Sequence, residues 1–311
     1  MRSCGSRFRT YMIQCLRILA VVLIIFLIKQ YSSFKRSSKI WESTIKQSLS
    51  LSSLNSQIIV ITPTYRRRTR LADMTRMANT LSHIQCLYWI VIEDGNHTVK
   101  AVERLLNRTT LPYTYFSAKT PLGYPSRGWY QRTKALEFLR NNFNLINNEF
   151  MKSIVYFGDD DNSYDVRLFD NYIRHVRKVG VWAVVFKKFN QRYTRTGFAG
   201  GALVESPAVI NGTVVGWNVV WHKKRKFATD MAGFAVSLDV ILNSTAIFTK
   251  SCKRGLGAPE TCFLEDLGLQ ILDLEPFGFD QKEREILVWH TKTAKVAINK
   301  RAQFTNGFIV E

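Results

Sequence analysis

The chain of 311 residues is long enough for one large or two modest domains, and 46% hydrophobic with 22% charged residues, 7 Pro and 17 Gly exclude a disordered, collagen-like or disulfide-scaffold protein. Lys and Arg outnumber Asp and Glu by 44 to 24, a formal charge of +20 that favours anionic partners, of which nucleic acid is only one.

Arg2, Arg7 and Arg9 precede a run, ILAVVLIIFLI over residues 18–28, without a polar side chain. Read back through Leu16, Cys15, Ile13, Met12 and Tyr11, the apolar stretch reaches about 18 residues, the short end of a spanning helix, and Arg17 can snorkel to the interface. The expectation is a cytoplasmic tail over 1–10 and a transmembrane signal anchor over 11–28; a cleaved signal peptide ending near Ser32 and Ser33 is the rival. Flanking charge does not orient the span, because Lys29, Lys35, Arg36 and Lys39 follow it almost as densely as arginines precede it. The short head and long remainder favour single-pass type II topology with the bulk of the chain lumenal. Ser-rich residues 29–56 read as a stem, and 57–311 as the folded part. Acceptor triplets at Asn96, Asn107, Asn211 and Asn243 fit a lumenal location. Past the anchor stand Cys86, Cys252 and Cys262; a bridge between the last two and free buried thiols remain level alternatives.

From Gln57 onward, short apolar runs alternate with helical patterns. Strands are expected at 58–62, 88–93, 113–117 and 153–157, with helices up to about 82, around 99–106, from 128 to 140 and from 166 to 179. Strands apolar on both faces indicate a parallel sheet covered by helices, and such sheets bind ligands beyond the carboxyl ends of their strands. There the sequence places Thr62-Pro63-Thr64-Tyr65, Glu93-Asp94-Gly95 and Gly158-Asp159-Asp160-Asp161-Asn162.

Three consecutive aspartates repel one another unless a cation or nucleotide hydroxyls compensate, which points to a hard divalent metal with positions left for phosphate oxygens. An acidic cap on the next helix is the plainer alternative. Arg66, Arg67, Arg68 and Arg70 follow the first strand, and Arg127 and Arg132 lie in PSRGWYQRTKAL; guanidinium groups grip phosphates in a two-pronged fashion.

The ordered segments VITPTYRR, IVIEDG, PSRGWYQRTKAL, VYFGDDDNSY, FATDMAGFAVSL, PETCFL and LVWHTKT together resemble the inverting β-1,3-glucuronyltransferases, glycosyltransferase family 43, over roughly 57–293. The resemblance implies a GT-A fold, a Rossmann-like nucleotide-sugar sheet with an acceptor-binding C-terminal half. It also implies Mn²⁺ and transfer of glucuronate from UDP-glucuronate to a terminal galactose. By the same resemblance Thr64, Tyr65, Asp94, Arg127, Arg132, Asp159, Asp160, His290 and Lys292 would contact the donor, and Asp161 the metal. Glu205, Trp221, Arg225 and Asp230 would contact the acceptor, and Glu260 would be the catalytic base. Inversion in one displacement needs such a base opposite the leaving diphosphate. A Gly/Pro-flanked loop would leave Glu260 free to point into a cleft; a glutamate at a helix start is the plainer alternative.

The chain departs from the family pattern in three places. Lys292 stands in WHTKT where the family reads arginine, keeping the charge but losing the planar grip. Residues 185–196, basic and aromatic, look inserted. The approach to Glu260, GLGAPE, is longer than usual, which puts a role for Arg254 in doubt. The resemblance further implies a Golgi location, homodimerisation, and an acceptor that is either the Gal-Gal-Xyl linker of proteoglycans or an N-acetyllactosamine terminus. A non-catalytic UDP- or glycan-binding relative is the rival class. A nucleic-acid-binding module lacks any recognisable basic-aromatic signature here.

Overall fold

The structure is a computed structural model, and it describes residues 56–146, 152–186, 204–280, 283–291 and 293. The expected tail and anchor, the stem up to residue 55, Lys292 and all of the expected insert but Val185 and Phe186 lie outside them. Among the described residues no helix is long and apolar enough to cross a membrane.

Strand β1 (Ser56–Thr64) runs through the middle of a seven-stranded sheet, flanked in parallel by β2 (Leu87–Glu93) and β4 (Lys152–Phe157), with β3 (Tyr113–Ser117) parallel beyond β2. Alternate side chains face opposite ways, so each strand feeds two cores. Ile59, Ile61, Ile90 and Ile92 pack with Ala135, Leu136 and Leu139 of helix α3 (Trp129–Ile146). Ile58, Val60, Trp89 and Val91 pack with Met74, Met77 and Leu81 of α1 (Arg70–Leu81) and with Val102 and Leu106 of α2 (Lys100–Arg108). Each such fully buried aliphatic side chain contributes about 1.5–3 kcal/mol, which is why the central strands read as unbroken apolar runs. The edges are tied by polar contacts. Gln57 Nε2 donates to the carbonyl of Ile146 at 3.0 Å, and Arg174 donates to the carbonyls of Ser56 and Gln85, each at 2.8 Å.

The sheet is mixed rather than wholly parallel. Beyond β4, strand β10 (Phe234–Ser237) runs antiparallel to both β4 and β6 (Val179–Val181), and β11 (Leu274–Pro276) closes that edge parallel to β6. The helix expected over 166–179 is absent as a regular α-helix. A π-helical turn at Leu168–Tyr172 passes into a 3₁₀ turn at Ile173–His175, and the chain then enters β6. The reason is tertiary: Val179–Val181 pairs with β10 on one side and β11 on the other, so any helix must end before it. Gly180 is packed so closely that a Cβ there would lie 2.4 Å from Val176 Cγ2.

A second sheet has the order β5 (Ser163–Tyr164), β12 (Val288–His290), β7 (Val184–Phe186), β8 (Val204–Ile210), β9 (Thr213–Asn218). Because β5 begins two residues after Asp161, the acidic loop leads straight from the first sheet into the second. Helix α4 (Leu238–Leu242) follows β10, and α5 (Pro259–Asp266) follows a turn closed by a Cys252–Cys262 disulfide. Of the two alternatives left open for these cysteines, the bridge forms; Cys86 is free.

Candidate active site

The three polar loops expected at the carboxyl ends of the strands do meet. The amide of Asp94 donates to the carbonyl of Thr64 at 2.7 Å, and Thr64 Oγ1 donates to Asp160 Oδ2 at 2.7 Å. Asp94 in turn accepts the backbone N–H and the hydroxyl of Thr120, both at 2.8 Å. Tyr65 is exposed, its ring 5.1 Å from the Arg67 guanidinium carbon. Arg127 is exposed as well, and its carbonyl accepts Arg132 Nη1 at 3.1 Å.

The aspartate triplet is neutralised unevenly. Arg132 is ion-paired with Asp159, and Arg67 holds Asp160 with two nitrogens at 2.8 and 2.9 Å. Burial nevertheless raises the Asp160 carboxyl above its ordinary value, against the pull of Arg67 and Thr64. No described residue hydrogen-bonds to the Asp161 carboxylate. Burial and then its two aspartate neighbours push it up to about 7. The backbone around it is fixed instead: its carbonyl accepts Arg76 Nη2 at 2.7 Å and Thr291 Oγ1 at 2.5 Å. A carboxylate on a fixed backbone, opposed only by the through-space charges of Arg67 and His290 and with no hydrogen-bond donor among the described residues, suits a hard divalent cation that keeps positions for phosphate oxygens. Among the described residues no three His, Cys, Asp or Glu side chains form a cage of their own, so the bulk of the coordination would fall to Asp161, substrate and water.

The other wall comes from the second sheet and α5. Glu205, on β8 opposite Val184, is buried, and among the described residues neither of its carboxylate oxygens has a hydrogen-bond partner. Burial, followed by the charge of Asp230, pushes it up to about 8. With Trp182, Trp217 and Asp230 it lines a small cleft. Arg225 is buried below Trp221, its guanidinium carbon 4.9 Å from the ring, with Nη1 lacking a hydrogen-bond partner among the described residues. Burial lowers its pKa, while Glu260, Glu205 and Asp230 sustain its charge. Asp230 caps the turn Met231–Gly233 by accepting the Ala232 N–H at 2.8 Å, and the same oxygen faces His290 Nε2 at 2.8 Å.

Glu260 does not lie in a loop. Pro259 occupies the first turn of α5, where its missing N–H costs nothing, and Glu260 follows within that turn. Burial first, and then Asp230, push its carboxyl up to about 7, with Arg225 and Arg132 pulling the other way. Glu260 therefore senses charges from both walls. Arg254, in the turn before α5, pairs with Glu265 at 3.0 Å and Asp266 at 2.5 Å at the far end of that helix.

Several supporting residues were not singled out by sequence reasoning. Arg67 is one of a run of arginines, and nothing in the run says which one turns inward; Asp73, bonded to Arg67 at 3.1 Å, carries the weak signal of an acid in the first turn of α1. Arg70, fully buried, donates to both oxygens of Glu93 at 2.6 and 2.8 Å, and Tyr115 donates to Glu93 at 2.6 Å. Gln131 fastens the Thr120 loop through 2.7 and 3.0 Å bonds to the Ala118 carbonyl and the Thr120 hydroxyl.

The sequence pattern described as Glycosyltransferase family 43 matches residues 77–294. The galactosylgalactosylxylosylprotein 3-beta-glucuronosyltransferase sqv-8 of Caenorhabditis elegans is 35% identical over 257 residues, covering 79% of this chain and 66% of that protein. The human galactosylgalactosylxylosylprotein 3-beta-glucuronosyltransferase 1 is 40% identical over 257 residues, covering 78% and 71%. This chain thus spans a little under two thirds of the worm protein's length. Among solved structures, S. aureus TarS 1-349 in complex with UDP-GlcNAc overlays with a TM-score of 0.46 at 15% identity, covering 77% of this chain and 60% of that one. The chain belongs to glycosyltransferase family 43.

Proposed function

We propose that this chain is an inverting glucuronyltransferase that moves glucuronate from UDP-glucuronate to the 3-hydroxyl of a terminal galactose, with the Gal-Gal-Xyl linker of proteoglycans as acceptor. The observation that carries the reading is the placing of Glu260. It is a carboxylate set near neutral pH by burial, between the aspartate crevice and the Glu205–Arg225–Asp230 wall. Such a group is ionised often enough to accept a proton and basic enough to hold it. The relatives, galactosylgalactosylxylosylprotein 3-beta-glucuronosyltransferases, support the glucuronyl group and the acceptor.

In this reading Thr64, Tyr65 and Asp94 hold the uridine, Asp160 the ribose, and Arg127, Arg132, His290 and Lys292 the diphosphate. Asp161 would hold Mn²⁺, which when bound supplies charge stabilisation at the leaving diphosphate. His290, raised to about 9 by Asp230 despite its burial, is a cation at neutral pH and adds to that stabilisation. Glu205, Asp230 and Arg225 offer acceptors and a donor to sugar hydroxyls, and Trp221 a flat face. Glu260 takes the proton of the attacking hydroxyl as the new bond forms, so no covalent enzyme intermediate is required. Anchoring at 11–28, a lumenal Golgi location, homodimerisation and glycosylation at Asn96, Asn107, Asn211 and Asn243 complete the proposal.

The test is transfer of radiolabelled glucuronate by the full chain in detergent, with Mn²⁺ or EDTA, onto Galβ1-3Gal and N-acetyllactosamine. Metal-dependent product on Galβ1-3Gal is the expected result. Product on the lactosamine alone would move the acceptor to glycoprotein glycans. A folded chain that binds UDP and transfers to neither would overturn the enzymatic reading in favour of a binding relative.

A further inference from the structure

We propose that the Cys252–Cys262 bridge is a positioning device for Glu260: it sets the carboxylate against the acceptor hydroxyl without taking part in donor binding. The inference rests on Glu260 being the base.

The bridge joins residues ten apart whose Cα atoms are 5.8 Å from each other, and the segment it closes contains Glu260 two positions before Cys262. Both cysteines are buried. Inside the closed segment the backbone is wound tightly. Leu256 and Gly257 both have positive φ, 53° and 97°. The Gly257 N–H donates to the Cys252 carbonyl at 2.9 Å, and the Gly255 N–H to Cys252 Sγ at 3.1 Å. A Cβ on Gly255 would lie 2.2 Å from the Ala258 carbonyl oxygen and 2.6 Å from Cys252 Sγ, so the turn is built around the sulfur.

What the closed segment delivers is the start of α5. Leu256, a non-glycine residue at positive φ, occupies backbone space that is unfavourable on its own, and α5 has only eight residues, too few to be stable alone. Two fastenings hold its first turn. Thr261 Oγ1 donates to the Phe227 carbonyl at 2.7 Å, linking it to the segment that leads to Asp230. The disulfide, one residue further on, links it to the loop. Glu260 is the residue just before both. The donor side has no share in this arrangement, since Asp94, Asp160 and Asp161 are held by Thr120, Arg67, Arg76 and Thr291. A loop lengthened on the approach to Glu260 gains conformational freedom, and the crosslink removes it. An ångström of drift at a proton acceptor is enough to cost about 10²-fold in rate.

The experiment compares the full chain in detergent with Cys252→Ser/Cys262→Ser, Glu260→Gln and the combined triple variant, measuring UDP affinity by calorimetry and kcat and KM for transfer. The double Ser variant is expected to keep UDP affinity and donor KM within about 2-fold while kcat falls at least about 10-fold. Adding it to Glu260→Gln should produce no further loss, because the two changes act on one group. Reversible loss of kcat on treating the unmodified chain with dithiothreitol, unchanged by Cys86→Ser, is expected alongside. Unaltered kcat in the double Ser variant, loss of UDP affinity together with kcat, or additive loss in the triple variant would each overturn the positioning role. Full transfer by Glu260→Gln would instead overturn the assignment of the base, and is read from that variant alone.

Discussion

His290 Nε2 lies 2.8 Å from Asp230 Oδ1, both side chains only 8% exposed, joining the end of β12 to the turn in front of β10 across sixty residues of sequence. Burial alone would discharge the imidazole; the Asp230 carboxylate outweighs it and raises the pKa to about 9, while His290 holds Asp230 below the usual carboxylate value despite its own burial. A histidine raised on folding stabilises fully below its unfolded value near 6.5, and that stabilisation is lost as pH rises through about 9. Thermal unfolding followed from pH 6 to 10 should show the decline. In Asp230→Asn the decline should vanish, and NMR titration should find the imidazole below 6.5. His290→Ala should cost about 3–5 kcal/mol by leaving a buried carboxylate unpaired.

Replacing Glu260 by Gln keeps the shape and removes the base. Transfer should fall about 10²–10⁴-fold, with UDP affinity unchanged by calorimetry. In the unmodified chain kcat/KM should rise with pH along a limb with an apparent pKa of about 7, since the carboxyl must ionise to act. Glu260→Gln should lack that limb.

Asp161 should behave in the opposite way. Asp161→Ala is expected to abolish the increase in UDP affinity that Mn²⁺ produces, and to leave metal-free UDP binding within about 3-fold, a change under 1 kcal/mol. Metal affinity in the unmodified chain should weaken as pH drops below about 7, where the carboxyl takes up a proton. Calorimetric titration at pH 6 and 8 reads both.

The buried pair of Arg70 and Glu93 should matter for stability more than for chemistry. Arg70→Ala leaves Glu93 with only the Tyr115 hydroxyl as a side-chain donor, and should cost about 3–5 kcal/mol in chemical denaturation. Arg70→Met combined with Glu93→Leu should recover the greater part of it, because no charge is then left behind in the core.

Gly128 has φ of 74°, and a Cβ there would sit 2.7 Å from Arg132 Nη1 and 2.9 Å from Pro63. Gly128→Ala should therefore loosen the hold of Arg132 on Asp159 as well as strain the backbone, costing about 1 kcal/mol or more. Weaker UDP binding with unchanged far-ultraviolet circular dichroism is the expected result.

The parallel half of the molecule was legible because its strands bury both faces: runs such as IIVIT and YWIVIE have no other comfortable place. The crevice followed from it, since polar residues at strand ends have one direction to go. What stayed hidden depends on choices that no local pattern records. β10 enters the sheet antiparallel because of a partner far away in sequence, and the stretch expected to continue a helix to 179 is taken into the sheet by β6 pairing with β10 and β11. Arg66 and Arg67 are the same letter, and nothing in the run marks Arg67 as the one that pairs with Asp160 and Asp73. Pro259 serves equally to open a helix or to stiffen a loop, so the sequence left both readings of the backbone at Glu260 open, and the helix start is the one that forms.

Strand β1 of the large sheet begins at Ser56, whose carbonyl is the acceptor for a buried Arg174 guanidinium and which pairs in register with Lys152. A proteolytic cut or engineered start placed at Gln57 would put a freshly charged amino terminus where that carbonyl was, within reach of an arginine. Secreted versions of this protein should accordingly retain residues upstream of Ser56, and yield should drop abruptly as the start site crosses it.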